Sequence, residues 1–265
     1  MREKANTLSR RAFLIGFLSS LNLGRKKIAA RESSRHLEEE KSITREKNSQ
    51  TSEKDFVAQF YDRYFMTLER RLEDMFPRDA KAIVDDIKKR TDEIKSENTG
   101  WISDSPSVFN LSLTAMVVAT HRILSKRIAN EKDVLKIVRY AFFEGQQERK
   151  AKEFFLKAMA ESPDAFSELV AVSKAKEAGQ YGEAFVFERE RDDEGFYFLN
   201  VKKCFYHDFF SAQGLPQLTP IFCDWDNVWG DELKDGRYGV IFARPETIGY
   251  GGQVCRFQFT RVSKK

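Results

Sequence analysis

Ala184-Phe185-Val186-Phe187-Glu188-Arg189, followed by Asp192-Asp193-Glu194-Gly195 and then Phe196-Tyr197-Phe198-Leu199-Asn200-Val201, is where the chain changes its hydrophobic period. Before it, apolar residues recur about every four positions; within it they alternate. Two alternating runs around an Asp-Asp-Glu-Gly turn read as a strand pair. A second pair is expected at 237–244 and 254–262, joined through Gly249-Tyr250-Gly251-Gly252. In the last strand Cys255, Phe257 and Phe259 share one face, which turns Cys255 towards the core, and Arg256, Gln258 and Thr260 share the other. Two short helices are expected between the pairs. Cys204 to Gln213 is the first, closed by Gly214; Thr219-Pro220 opens the second, which carries Cys223, Asp224, Trp225 and Asp226.

Upstream the pattern is helical. Phe56, Phe60, Tyr64, Leu68, Leu72 and Phe76 stand four apart, ahead of Pro77. Arg78 to Ser96 repeats the stripe with Ile83, Val84, Ile87 and Ile94, and Asn98-Thr99-Gly100 ends it. Ser105-Pro106 opens a third helix, with Ser105 as N-cap, that is apolar nearly all round and therefore central. His121, near its end, reads as a core or boundary histidine with one hydrogen bond. A fourth helix runs from Asn130 to about Glu161, with a kink or break expected at Gly145. A fifth starts at Ser162-Pro163, and Gly179 is its expected C-cap. Helices first and strands afterwards predict an α+β fold: a helical N-terminal half packed on an antiparallel sheet of about four strands, with two short helices between the strand pairs.

The chain has 265 residues, 41% of them hydrophobic, with 23 Phe, which is enough apolar material for one Phe-packed domain over 55–265. Its net charge of +4 is unevenly placed. Residues 1–30 hold seven basic side chains and one acid, so the remainder is slightly negative. That weighs against a nucleic-acid partner. The leader Ser9-Arg10-Arg11-Ala12-Phe13-Leu14 followed by a short apolar run resembles a twin-arginine export signal, kept as an anchor or removed. The expectation is a protein of the periplasm or cell envelope that engages the twin-arginine machinery, rather than a cytoplasmic one. Residues 31–54 hold twelve charged residues and no aromatic, which reads as a solvated linker.

The chemistry gathers in the C-terminal third. Helical spacing sets Cys204 beside His207 and Cys223 beside Asp226. Cys204, Cys223, Cys255, Asp226 and His207 include the soft and hard donors that zinc or another divalent metal takes. The same thiols also read as three small buried hydrophobes. They further allow a Cys204–Cys223 or Cys223–Cys255 disulfide. These readings stay open on the residues alone.

Two further stretches carry a likeness. One is Val201-Lys202-Lys203-Cys204-Phe205-Tyr206, then Gly214-Leu215-Pro216, then Phe222-Cys223-Asp224-Trp225-Asp226. The other is Thr247-Ile248-Gly249-Tyr250-Gly251-Gly252-Gln253-Val254-Cys255-Arg256-Phe257. Over roughly 105–262 the chain resembles the L-2-amino-thiazoline-4-carboxylic acid hydrolase family, with Phe205 where the family often has Pro. The resemblance implies a small-molecule substrate, a cyclic amidine opened by water to an N-carbamoyl amino acid. It implies a Cys/Asp site made of Cys204, Cys223, Asp226 and Cys255. Asp226 would be base or metal ligand, and one cysteine a covalent nucleophile. Apart from the resemblance, His207 is the nearby imidazole that could shuttle a proton, and Arg256 or Arg244 is the candidate cation for the substrate carboxylate. The competing class is a non-catalytic module of the cell envelope that binds a metal or small ligand.

Overall fold

The computed structural model describes residues 58–264. The expected leader at 1–30 and linker at 31–54 lie outside the described residues. The chain divides into two units, Met1–Asp62 and Arg63–Lys265. Of the first, only 58–62 are described, as the start of helix α1; everything else below concerns the second.

Among the described residues six α-helices precede the sheet. Helix α1 covers 58–73, and Pro77 lies in the turn after it. Helix α2 is Ala80–Glu97 and buries Ile83, Val84, Ile87 and Ile94. Helix α3, Ser105–Leu124, is buried along nearly its whole length, as its composition requires. Its N-cap is Asp104, one residue before the expected Ser105. The Asp104 carboxylate accepts from the Ser107 N–H, and the Ser107 hydroxyl closes the reciprocal bond. Helix α4 is Glu131–Gly145 and α5 is Glu148–Glu161. The expected single helix is broken at Gly145, and Gln147 takes a left-handed φ of 55°. Helix α6, Ala165–Lys176, does not end at Gly179 as expected. It widens into a π-turn, Glu177–Tyr181, and stops at Gly182, whose φ of 67° is the left-handed conformation that glycine tolerates.

The sheet follows with strands β1, Val186–Asp192, and β2, Phe196–Lys203, paired antiparallel around the expected turn. Helices α7, Phe205–Ala212, and α8, Thr219–Asp226, separate them from β3, Val240–Ala243, and β4, Cys255–Arg261. The sheet order is β1-β2-β4-β3, all antiparallel. Register aligns Tyr197 with Phe259, Leu199 with Phe257 and Val201 with Cys255, so these six share a face. On that face Trp229 packs on Phe242 and Phe259. Helix α6 lies over the same face, its Ser173 hydroxyl reaching the Tyr197 hydroxyl. Helix α3 is the hub: it packs against α2, α4, α7 and the π-turn. Between α4, α7 and α8 an aromatic cluster forms around Phe222, with ring centroids 4.5 Å from Tyr206 and 4.6 Å from Phe142.

Candidate active site

Three chain reversals carry the chemistry to one place. Cys204 follows β2 and caps α7. Cys223 and Asp226 belong to α8, and Cys255 is the first residue of β4, paired with Val201 three residues before Cys204. Arg244 directly follows β3, where Pro245, lacking an N–H, cannot extend the ladder. A strap over 246–254 then returns to β4. Its base is tied by Glu246, which accepts from the Gln253 N–H at 2.7 Å and the Arg256 Nε–H at 3.0 Å. The Ile248 N–H in the strap donates to the Cys255 sulfur at 3.3 Å. Gly249 has to be glycine, because a Cβ there would come within 2.6 Å of the Cys223 sulfur.

Arg244 is the centre of this arrangement. Its side chain is 6% exposed, and its Nη1 donates to the Cys223 carbonyl at 2.6 Å. Its Nη2 is 4.0 Å from the Asp226 carboxylate, and its plane lies over the Phe257 ring at 4.4 Å. Its Nε is buried with no hydrogen-bond partner, a donor that a bound anion would satisfy.

The three thiols are free and buried, so neither disulfide has formed. Their environments differ. The Cys223 thiol donates to the Cys255 sulfur, which pulls Cys255 down to about 7; burial opposes this, and the Ile248 N–H and Arg244 support it. The same bond holds the proton on Cys223, and burial raises that thiol further. Burial pushes Cys204 up to about 12, against the pull of the His207 and Tyr206 N–H groups. Asp226 is the most open of the four, its side chain 30% exposed, yet burial raises its carboxyl and Arg244 and Lys176 only partly offset this. Burial also keeps the Tyr181 hydroxyl protonated far above its ordinary range, with Asp226, Arg244, Cys204 and Cys255 all acting on it.

Cys255 and Asp226 thus each act on Cys204 and on Cys223. His207 does not join them in the same way: its Nδ1 is 3.4 Å from the Thr219 hydroxyl. Arg256 is on the opposite sheet face and is paired with Glu246 and Glu190, so of the two arginines Arg244 is the one at the thiols. Among the described residues no group of three or more His, Cys, Asp or Glu side chains is placed to hold a metal ion. The donor set considered for zinc is thus not assembled. His121 is buried, with a single bond from Nε2 to Glu131 at 2.7 Å, as a boundary histidine should be. An open groove on α1 and α4, lined by Thr67, Arg70, Asp133 and Lys136, lies on elements that carry none of these residues.

Sequence reasoning passed over three neighbours. Lys176 and Tyr181 come from the end of α6 and its π-turn, where nothing sets them apart from other surface-type residues. Asn110 is completely buried in α3 and accepts from the Tyr206 hydroxyl at 2.9 Å. An amide in a helix apolar nearly all round was the available signal for that pair.

A family model described as L-2-amino-thiazoline-4-carboxylic acid hydrolase matches residues 110–259, a span that begins at Asn110 and includes every residue of this cluster. No curated protein matches the chain. Among solved structures, an Fe(II) unliganded H-NOX protein from K. algicida is 10% identical over 76% of this chain and 96% of that one, with a TM-score of 0.26. A likeness at that level carries no argument.

Proposed function

The chain belongs to the L-2-amino-thiazoline-4-carboxylic acid hydrolase family, and from that membership we propose that it is a hydrolase opening the ring of a 2-amino-thiazoline-4-carboxylate, with Cys255 as nucleophile. The observation that supports this reading is the Cys255 sulfur, which receives the Ile248 N–H and the Cys223 thiol beside the Arg244 guanidinium. All three interactions favour thiolate, whereas burial prevails at Cys204 and the bond to Cys255 together with burial keeps Cys223 protonated.

The thiolate adds to C2 of the ring, an amidine-like carbon. The C2–S bond then breaks, and the ring sulfur leaves as a thiol after taking a proton. C2 is now held on Cys255 as an isothiourea. Water attacks it with Asp226 as base, the bond to Cys255 breaks, and the N-carbamoyl amino acid departs. A raised carboxyl suits Asp226 to passing a proton in both directions. Tyr181, protonated, is the donor for the ring nitrogen, and the spare Nε–H of Arg244 takes the substrate carboxylate.

Incubating purified protein with 2-amino-thiazoline-4-carboxylate is expected to release one thiol per ring opened. Cys255→Ser is expected to lower kcat/KM at least ~10³-fold, as loss of a nucleophile does. Asp226→Asn is expected to lower it ~10²-fold or more, as loss of a general base does. Turnover that survives in Cys255→Ser would remove the nucleophile from the scheme. Ligand binding without turnover in the unaltered protein would favour the non-catalytic module.

A further inference from the structure

Two consecutive residues of the strap touch two different sulfurs. Ile248 donates its N–H to Cys255, and Gly249 lies so close to Cys223 that a Cβ would collide with it. Both sulfurs are thus held against one dipeptide of the strap, and each weighs on the ionisation of the other. One is carried by α8 and the other by β4, so their placement on the strap is made by the fold and not by a short sequence motif. Close packing against Gly249 blocks the Cys223 sulfur on its strap side. Arg244, anchored to the Cys223 carbonyl, also acts on the Cys255 sulfur and brings a cation to the pair. Hydrolysis by Cys255 needs no second thiol on the same strap. Such a partner is what reversible oxidation needs.

We infer that Cys223 and Cys255 form a modification site that hydroperoxides convert to a disulfide, closing the site reversibly. The Cys255 thiolate attacks the terminal oxygen of the hydroperoxide. The O–O bond breaks, an alcohol (water, for hydrogen peroxide) leaves after taking a proton, and Cys255 becomes a sulfenic acid. The Cys223 sulfur then attacks the Cys255 sulfur, the S–O bond breaks, and water leaves with the Cys223 proton. The thiol pair loses two electrons, and the hydroperoxide gains them. Loss of hydrolysis on oxidation rests on the reading of Cys255 as nucleophile; formation of the disulfide does not.

The test treats the purified full chain with hydrogen peroxide, counts free thiols, maps linked peptides under non-reducing conditions and follows thiazoline turnover. Free thiols are expected to fall from three to one, with the Cys223 and Cys255 peptides joined. Turnover is expected to fall at least ~10-fold and to return with dithiothreitol, as a disulfide and not a sulfinic acid allows. Cys223→Ser should give no linkage, and a second equivalent of peroxide should carry its Cys255 sulfenic acid on to a sulfinic acid that dithiothreitol does not reverse. Should that variant misfold, Cys204→Ser serves instead, its two remaining thiols both disappearing into the same linkage. Three thiols surviving peroxide, a linkage through Cys204, or sulfinic acid at Cys255 in the unaltered protein would each overturn the inference. A clean Cys223–Cys255 linkage in a protein with no turnover at all would leave the modification site standing and remove the hydrolase reading.

Discussion

Arg244 and Cys255 lie eleven positions apart in the chain, and the guanidinium still helps decide the charge of the sulfur. A cation favours the charged form of a neighbouring thiol, so removing it must raise that thiol. Arg244→Gln is therefore expected to move the acid limb of kcat/KM from about pH 7 to higher pH, by roughly one pH unit. The rate of iodoacetamide labelling of Cys255 against pH should move in parallel, and a limb that stays in place would show that Arg244 does not tune the sulfur. Three cysteines and Asp226 stood out in the sequence because reactive residue types were crowded into one short segment. Their inequality did not stand out. Nothing in Cys-Phe-Tyr or Cys-Asp-Trp-Asp says which sulfur meets a cation, since the cation follows a different strand. Alternation already turned Arg256, the neighbour of Cys255 in sequence, to the other face, and the structure adds that Glu190 and Glu246 hold it there.

At the scale of elements, the connection between α3 and the turn after α6 is the joint behind the site. The Asp104 carboxylate accepts the Ser107 N–H at the start of α3 and the Glu183 N–H at 2.6 Å, across 79 residues. Burial pushes that carboxyl up, but the N–H bonds outweigh it and the net direction is down. A carboxylate lowered in the folded state contributes stability above its unfolded pKa, about 3.9, and that contribution is lost as the pH falls through the folded value. Asp104→Asn, which keeps the shape of the cap, should thus be less stable than the unaltered protein at neutral pH, with the difference vanishing in acid. Asp104→Ala, which loses the cap, is expected to cost about 1–2 kcal/mol at neutral pH. Denaturant melts across pH check both. The ends of α6 show where element reading fails. Gly179 and Gly182 are equally good stop signals in a sequence. The π-turn passes the first and uses the second, because Asp104 holds the chain at Glu183.

For the whole molecule, the basic leader remains a proposal about where this fold operates. Twin-arginine transport carries folded proteins, which suits a site assembled from β2, α8, β3 and β4 before export. Replacing Arg10 and Arg11 together by Lys is expected to leave the protein in the cytoplasm, and fractionation that finds both forms equally exported would remove the signal. The sequence by itself determined the α+β class, the two antiparallel strand pairs, the two helices between them and the buried third helix. These depend on period, on Gly and Pro, and on caps, all of which act over a few residues. Tertiary structure alone decided that β4 lies between β2 and β3, that Arg244 faces the thiols, and that one sulfur of three is favoured as thiolate. Burial and charge at a sulfur depend on what the fold brings within a few ångströms, and chain spacing does not record that.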